Sequence, residues 1–560
     1  MKKLSSFFEK HFPGLAVWLV AFVVYSFTVS PTVSFWDCGE YIASAAGLQV
    51  PHPPGAPLYL LLARAFSLMA PSGAMVAWSV NMLSVVASAF TVFFLYKILL
   101  LFFGMVKDGT TPFSRLHGEL SAVTGALLFA FTDTFWFSAV EAEVYALSLF
   151  FSSLTLWVFL KWYVQDGNRP RWFFLGVYLL GLSIGVHLLN LLLVPVFVLL
   201  YGWKRHGPQL KVTALSLLGG FLLLGVLFWG LVMNGLWPAE KLELWMVNSL
   251  GMPQHSGLIA WVIVLISIHV GALTLLKQKD TALRFVFLIS ALILMGWASY
   301  ALVPVRASAA PPVNMNAPGD VFSLNDYINR KQYGQRPLLY GAHAWADPED
   351  WKESFAYHFE PDKNKYERFV SGSVPVFHNS ERVWFPRMYS DRQPHPLGYE
   401  RWADFSPADG KPRFSDQFDF FLRYQMGHQY LRYLLWNFAG RQNDVQGHGD
   451  MMSGNWATGI EYIDRQFTGS REHPAAIDRY TPAANHYFAI PLLLGIIGLF
   501  FLLRRGRGRR EVLLIFSLLV LMTGPAVVLY LNQPPFEPRE RDYVYLASFM
   551  SVAMFAAMGV

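Results

Sequence analysis

Apolar runs long enough to cross a bilayer follow one another through most of this chain, separated by short charged connectors, and the pattern breaks between residues 304 and 485. Leu15 to Val29 and Val85 to Phe103 hold almost no charge, and a helix needs ~20 such residues to cross a hydrocarbon core of ~30 Å. The pattern predicts about twelve spans, over 12–30, 76–104, 119–138, 145–163, 172–187, 188–202, 212–234, 258–276, 282–303, 486–503, 511–531 and 543–560. The first follows Met1-Lys-Lys-Leu but is longer than a signal-peptide core and lacks an A-x-A cleavage pattern, so it reads as an uncleaved span. Two shorter stretches, Glu40 to Leu48 and Ala56 to Met69, read as helices lying in the membrane interface.

The break at 304–485 is polar and carries turn signals such as Ala317-Pro-Gly-Asp320 and Ala408-Asp-Gly410. The chain thus divides into a transmembrane module over 1–303, whose first outer loop is 31–75, an α-rich mixed extramembrane domain over 304–485, and C-terminal transmembrane helices over 486–560. Within the domain, the aromatic-rich stretch Phe418 to Phe438, with Arg423 and Arg432, fits either a helix lying along the membrane surface or an ordinary core helix.

Composition agrees with an α-helical polytopic membrane protein, because 54% hydrophobic residues in 560 exceeds what a soluble domain of this length needs. The net charge of +6 is a topology signal rather than a nucleic-acid surface, because the basic residues collect in alternate short loops. Lys107 with Arg115, Arg169 with Arg171, Lys204 with Arg205 and Lys211, Lys277 with Lys279 and Arg284, and the cluster Arg504 to Arg510 mark one side as inside. The loop after the first span, the Glu141 to Glu143 turn, Leu236 to Gly257, the 304–485 domain and Asn532 to Asp542 fall outside. A single cysteine, Cys38, excludes an intrachain disulfide, and no phosphate-binding glycine loop stands in a strand-to-helix context.

The candidate chemistry lies in the first outer loop. In Phe35-Trp-Asp-Cys-Gly-Glu-Tyr41, Asp37 and Glu40 at i and i+3 share one face of a helix that starts there. Paired carboxylates suit transfer to a hydroxyl, one taking the proton while the other orients it or binds a cation; the plain alternative is that Asp37 caps the helix. The rigid turn Val50-Pro-His-Pro-Pro-Gly-Ala-Pro57 places His52 above these acids, as a phosphate or acceptor ligand or as a structural histidine. Asp133, Glu141 and Glu143 are supporting acids, although the last two also fit a solvated turn. Arg306, Arg539 and Arg541 stand on the outer side, where basic residues are disfavoured, and their guanidinium forks suit a phosphate; pairing with Glu537, Glu540 or Asp542 is the bland reading. Asp444, His448 and Asp450 have no metal-specific spacing, so a glycine-rich loop is the better reading of Gly440 to Asp450, and Cys38 reads as a small filler. No metal site is specified, although a divalent cation is compatible with the acid pair.

Phe35-Trp-Asp-Cys-Gly-Glu40, His52-Pro-Pro-Gly-Ala-Pro57, Asn329-Arg-Lys-Gln-Tyr-Gly334, Asn437-Phe-Ala-Gly-Arg-Gln-Asn-Asp444 and Arg539-Glu-Arg-Asp-Tyr-Val-Tyr545 together resemble a bacterial family related to the vertebrate transmembrane O-mannosyltransferase. The resemblance implies a C-type glycosyltransferase fold and a polyprenyl-phosphate sugar donor. It implies O-glycosylation of Ser or Thr in exported proteins, with mannose the sugar, in the inner membrane of a bacterium and with the site facing the periplasm. Asp37 matches the expected base and Glu40 its companion, although related enzymes often have the two acids adjacent and Cys38 and Gly39 separate them here. Relatives also continue past an apolar run like the one that ends at Val560, which implies a longer natural chain. Rival readings are transfer to a lipid or glycan acceptor, a lipid-linked sugar transporter or flippase using His187 or His269, and a non-catalytic scaffold.

Overall fold

The computed structural model describes residues 2–107, 115–167, 170–277, 282–334, 336–469 and 481–560. Met1, Arg169, Lys279 and the side chain of Arg115 lie outside the described residues. Eight described helices are long and apolar enough to cross a membrane: Gly73–Val106, Val144–Val164, Leu188–His206, Leu210–Ser249, Ser256–Leu275, Ala282–Ser308, Arg507–Leu531 and Asp542–Gly559. The chain is therefore a multi-pass, mainly helical membrane protein.

The remaining expected spans differ in shape. The segment expected at 119–138 is two helices, Leu116–Ala130 and Asp133–Ala139, that meet at 71°, because Thr132 takes an extended conformation between them. Three others form shorter apolar helices, Phe12–Thr28, Pro170–Ile184 and Ile490–Leu503. Leu236 to Gly257, expected as a loop, is largely helical and continues the span before it through Trp237–Glu243 and Leu244–Ser249. The helix Leu302–Ser308 runs across the 303/304 boundary.

Contacts link loops within each of the two expected sets. In one, Lys204 Nζ donates to Tyr163 O (3.0 Å) and Tyr163 Oη donates to Glu511 Oε2 (2.8 Å). In the other, Arg539 of the last loop reaches Asp37 of the first. The polar segment contributes three two-stranded antiparallel sheets: Asp350–Glu360 with Lys365–Val376, Tyr340–Ala342 with Arg382–Trp384, and Gly440–Arg441 with Asn485–His486. Its central helical stretch buries one face in the core and leaves Phe418, Leu422 and Leu431 exposed on the other. Tyr433, Trp436 and Phe438 are buried, Tyr430 Oη bonds Ser548 Oγ (2.7 Å) and Gln425 Nε2 donates to Asn532 Oδ1 (3.1 Å). This helix locks the polar segment onto the C-terminal spans.

Some spans approach so closely that only glycine fits between them. A Cβ on Gly296 would lie 2.3 Å from the carbonyl carbon of Gly181, so Pro170–Ile184 and Ala282–Trp297 meet backbone to backbone, as small residues allow between membrane helices. Gly296→Leu should therefore lower the thermal midpoint in detergent, by a destabilisation of about 1–3 kcal/mol for overpacking. Gly271→Leu, where a Cβ meets nothing within 4 Å, should leave the midpoint unchanged, and equal midpoints for both variants would refute this account of the crossing.

Candidate active site

Asp37 precedes the helix Cys38–Gly47, yet its side chain makes no capping hydrogen bond. The capping alternative therefore fails and the carboxylate is available. Glu40, in the first turn of the same helix, accepts the backbone N–H of His52 (2.8 Å) and lies 2.5 Å from His52 Nδ1. The facing ligand atoms of Asp37, Glu40 and His52 all lie within 4.8 Å of one another, a set that can hold a metal ion. The loop around them is fixed from below. Asn81, fully buried, donates to Ser30 O (2.8 Å) and Thr32 O (2.9 Å). Cys38 packs 3.8 Å from Asn81 as a filler, and burial pushes its thiol up to about 11, away from nucleophilic use.

Arg539 arrives from the opposite end of the chain. Its Nη2 donates to Asp37 Oδ2 at 2.6 Å and its Nη1 lies 3.7 Å from Glu143 Oε1. The rings of Trp36 and Tyr543 flank the guanidinium at 5.6 and 4.8 Å. Burial opposes the charge of Arg539, but Tyr543, Asp37 and Glu143 outweigh it and raise its pKa further. A guanidinium so placed stays charged and keeps Asp37 oriented.

Glu141 and Glu143 are 8% and 5% exposed, which overturns the solvated-turn alternative. Burial pushes Glu141 up to about 7, against a hydrogen bond from Ser34 (2.8 Å). Burial, with the like charge of Asp37, pushes Glu143 up to about 8. Arg541 pairs with Glu537 at 2.6 Å, as the bland reading held. Glu540 between the two arginines accepts both Nη atoms of Arg432 (3.1 and 2.6 Å), Tyr433 Oη (2.5 Å) and the N–H of Gly447 (2.8 Å). Sequence reasoning missed Glu540 as an anchor; its only signal was an acid set between two basic residues.

Two predicted members stand apart from this cluster. Arg306 donates to Leu48 O (2.6 Å) and Gly47 O (3.1 Å), closing the far end of the helix that Asp37 opens, about 15 Å away at 1.5 Å per residue. Asp133 bonds Asn485 and Tyr487 instead. His187 accepts the N–H of Leu189 (3.2 Å), and His269 bonds Leu265 O and Ser290 Oγ, so both histidines are engaged in packing. In the 440–450 loop Asp450 accepts the N–H of Met452 (2.9 Å) and His448 packs on Phe536, in keeping with a structural loop. Beside Arg539, a small cavity of about 20 Å³, room for little more than one water, is lined by Tyr145, Tyr543, Ser148, Leu193, Val527 and Leu546.

The model of the TMEM260 N-terminal domain, from protein O-mannosyl-transferase TMEM260, matches residues 37–210, and a family of unknown function (DUF8416) matches residues 334–422. The chain is 27% identical over 144 residues to protein O-mannosyl-transferase tmem260 of Dictyostelium discoideum, covering 26% of this chain and 16% of that protein. It is 29% identical over 143 residues to protein O-mannosyl-transferase TMEM260 of Mus musculus, covering 26% and 18%. The chain thus spans less than a fifth of either curated relative. No solved structure matches the chain. The chain is related to the vertebrate O-mannosyltransferase through a stretch that takes in Asp37, Glu40, His52, Glu141 and Glu143 but not Arg539.

The raised pKa of Glu143 has a consequence for stability. Unfolding returns it from about 8 to the ordinary 4.5, so the unfolded chain loses this proton first as pH rises, and the associated stability, complete below about 4.5, is lost as pH climbs through about 8. Glu143→Gln stays neutral throughout. Its thermal midpoint in detergent should fall less than the parent's between about pH 5 and pH 9; superimposable pH profiles would refute the buried, proton-retaining Glu143.

Proposed function

We propose that this chain is a membrane glycosyltransferase that moves a sugar from a polyprenyl-phosphate donor to Ser or Thr hydroxyls of exported proteins with inversion, and that the sugar is mannose, as the names of its relatives suggest. The observation that carries this reading is the state of Asp37. Its carboxylate is free of capping, is held by Arg539 at 2.6 Å and lies beside Glu40 and His52, in the stretch that matches the O-mannosyl-transferase N-terminal domain.

In this mechanism the acceptor hydroxyl oxygen attacks the anomeric carbon while the bond from that carbon to the phosphate oxygen breaks. The hydroxyl proton passes to Asp37, and the phosphate leaves with the electron pair of the broken bond. Glu40 and His52, bonded to each other, fix the acid face and orient the acceptor. Arg539 keeps its hold on Asp37 and Arg541 on Glu537, and from there their positive charge favours the developing anion at longer range. A divalent cation at Asp37, Glu40 and His52 would have to compete with the Arg539 pair and the Glu40 to His52 bond, so we read the transfer as independent of metal. The same reading has the C-type glycosyltransferase fold with twelve spans, the 304–485 domain and the site on the periplasmic side of a bacterial inner membrane.

Asp37→Asn should lower transfer from polyprenyl-phosphate mannose to a Ser/Thr peptide by on the order of 100-fold or more, the usual worth of a general base, in a chain that still folds, with a lower thermal midpoint from the lost Arg539 pair. Activity should survive a chelator. Full activity of Asp37→Asn would overturn the assignment, and transfer to a lipid or glycan in place of the peptide would overturn the acceptor.

A further inference from the structure

Around the proposed site nearly every cation is already committed. Arg539 serves Asp37 and Glu143, Arg541 serves Glu537, Arg432 serves Glu540, and Arg306 closes a helix on two carbonyls. Arg336 donates to Leu531 O at 2.7 Å, and Lys331 is ion-paired with Asp326. Arg330 differs. It is exposed, and its guanidinium lies 4.9 Å from the ring of Tyr333 with no carboxylate or hydrogen-bond partner among the described residues.

The backbone carries Arg330 close to the turn that holds His52. It follows the helix Val321–Ile328, whose Tyr327 donates its hydroxyl to Pro51 O at 2.6 Å, beside His52. That staple closes against Gly55, where a Cβ would lie 2.5 Å from Tyr327 Oη. On the other flank Asn329 Nδ2 donates to Met233 O at 2.9 Å. His187, whose ring lies 5.3 Å from that of Tyr145 at the cavity, is acted on by the charges of both Arg330 and His52. Arg330 therefore stands three residues beyond the Tyr327 hydroxyl that closes on the His52 turn. Its own backbone is left-handed, at φ 55° and ψ 35°, a conformation that glycine takes freely and a side chain takes at a cost of about 1 kcal/mol.

We propose that Arg330 is the phosphate ligand of this site, the guanidinium that receives the donor's phosphate ester; the identity of that donor rests on the function proposed above. A planar fork of N–H donors matches a phosphate in charge and geometry. Arg330 can take the anion without releasing another partner, whereas Arg539 would have to loosen Asp37, the group it orients. The two arginines then divide the task, one on the base and one on the leaving group.

The left-handed backbone makes the test clean, because Arg330→Gly removes the charge and relieves the backbone together, so the thermal midpoint should hold or rise. Binding of a fluorescent polyprenyl phosphate to the full chain in detergent should weaken by on the order of 10- to 100-fold, the worth of a charge-assisted pair. KM for polyprenyl-phosphate mannose should rise in parallel while KM for the acceptor peptide stays, and Arg330→Lys should recover part of both. Inorganic phosphate is the second probe: competition with the lipid in the parent and not in Arg330→Gly would assign the phosphate group itself to Arg330. If Arg330→Gly binds and turns over donor like the parent while Asp37→Asn is inactive, the Arg330 assignment falls and the transfer reading stands. If the chain binds inorganic phosphate through Arg330 but no polyprenyl phosphate, the donor reading falls and Arg330 remains an anion ligand. Binding of neither probe overturns the proposal.

Discussion

The ion pair between Arg539 and Asp37 joins side chains 502 positions apart, and the arrangement of the site follows from it. Without it, the carboxylate of Asp37 would lack a cation, and any ionisation of the buried Glu143 would set two like charges side by side. With it, a single guanidinium answers Asp37 and Glu143 and lies against Trp36 and Tyr543. The first and last loops expected outside are thereby held to one geometry.

The pair depends in turn on its neighbour. Glu540, adjacent to Arg539, is gripped by Arg432 and Tyr433 from the central helix of the polar segment. Arg432 is 4% exposed, and removing one partner of so buried a pair strands a charge, which costs far more than the pair itself contributes. The large polar segment therefore does more than cover the site. Through Arg432 it sets where Arg539 stands, and through Tyr430 and Gln425 it is fastened to the C-terminal spans.

The carboxyl groups of the site are held in unlike states by unlike surroundings. Asp37 has a cationic partner and Glu40 an imidazole, while burial keeps Glu141 and Glu143 protonated into the neutral range. Four acids close together thus avoid four negative charges. Such a division lets one carboxylate act as a base while others shape its field.

How much of this could be read along the chain depends on the range of each interaction. The spans, the polar break after residue 303 and the shared face of Asp37 and Glu40 follow from hydropathy and helical period, which are local properties. The expected sides of the loops follow from the placement of Lys and Arg, also a local property, and Tyr163 joins Lys204 and Glu511 of two loops expected on one side. Only the tertiary structure decided which arginine meets which acid: Arg539 takes Asp37, Arg541 takes Glu537, Arg306 turns to a helix end and Arg330 takes none among the described residues. It also decided that Glu141 and Glu143 are buried, although a short charged turn between two spans reads equally well as solvated. An ion pair exists only within about 4 Å, and segments hundreds of residues apart reach that separation through packing that no local pattern encodes.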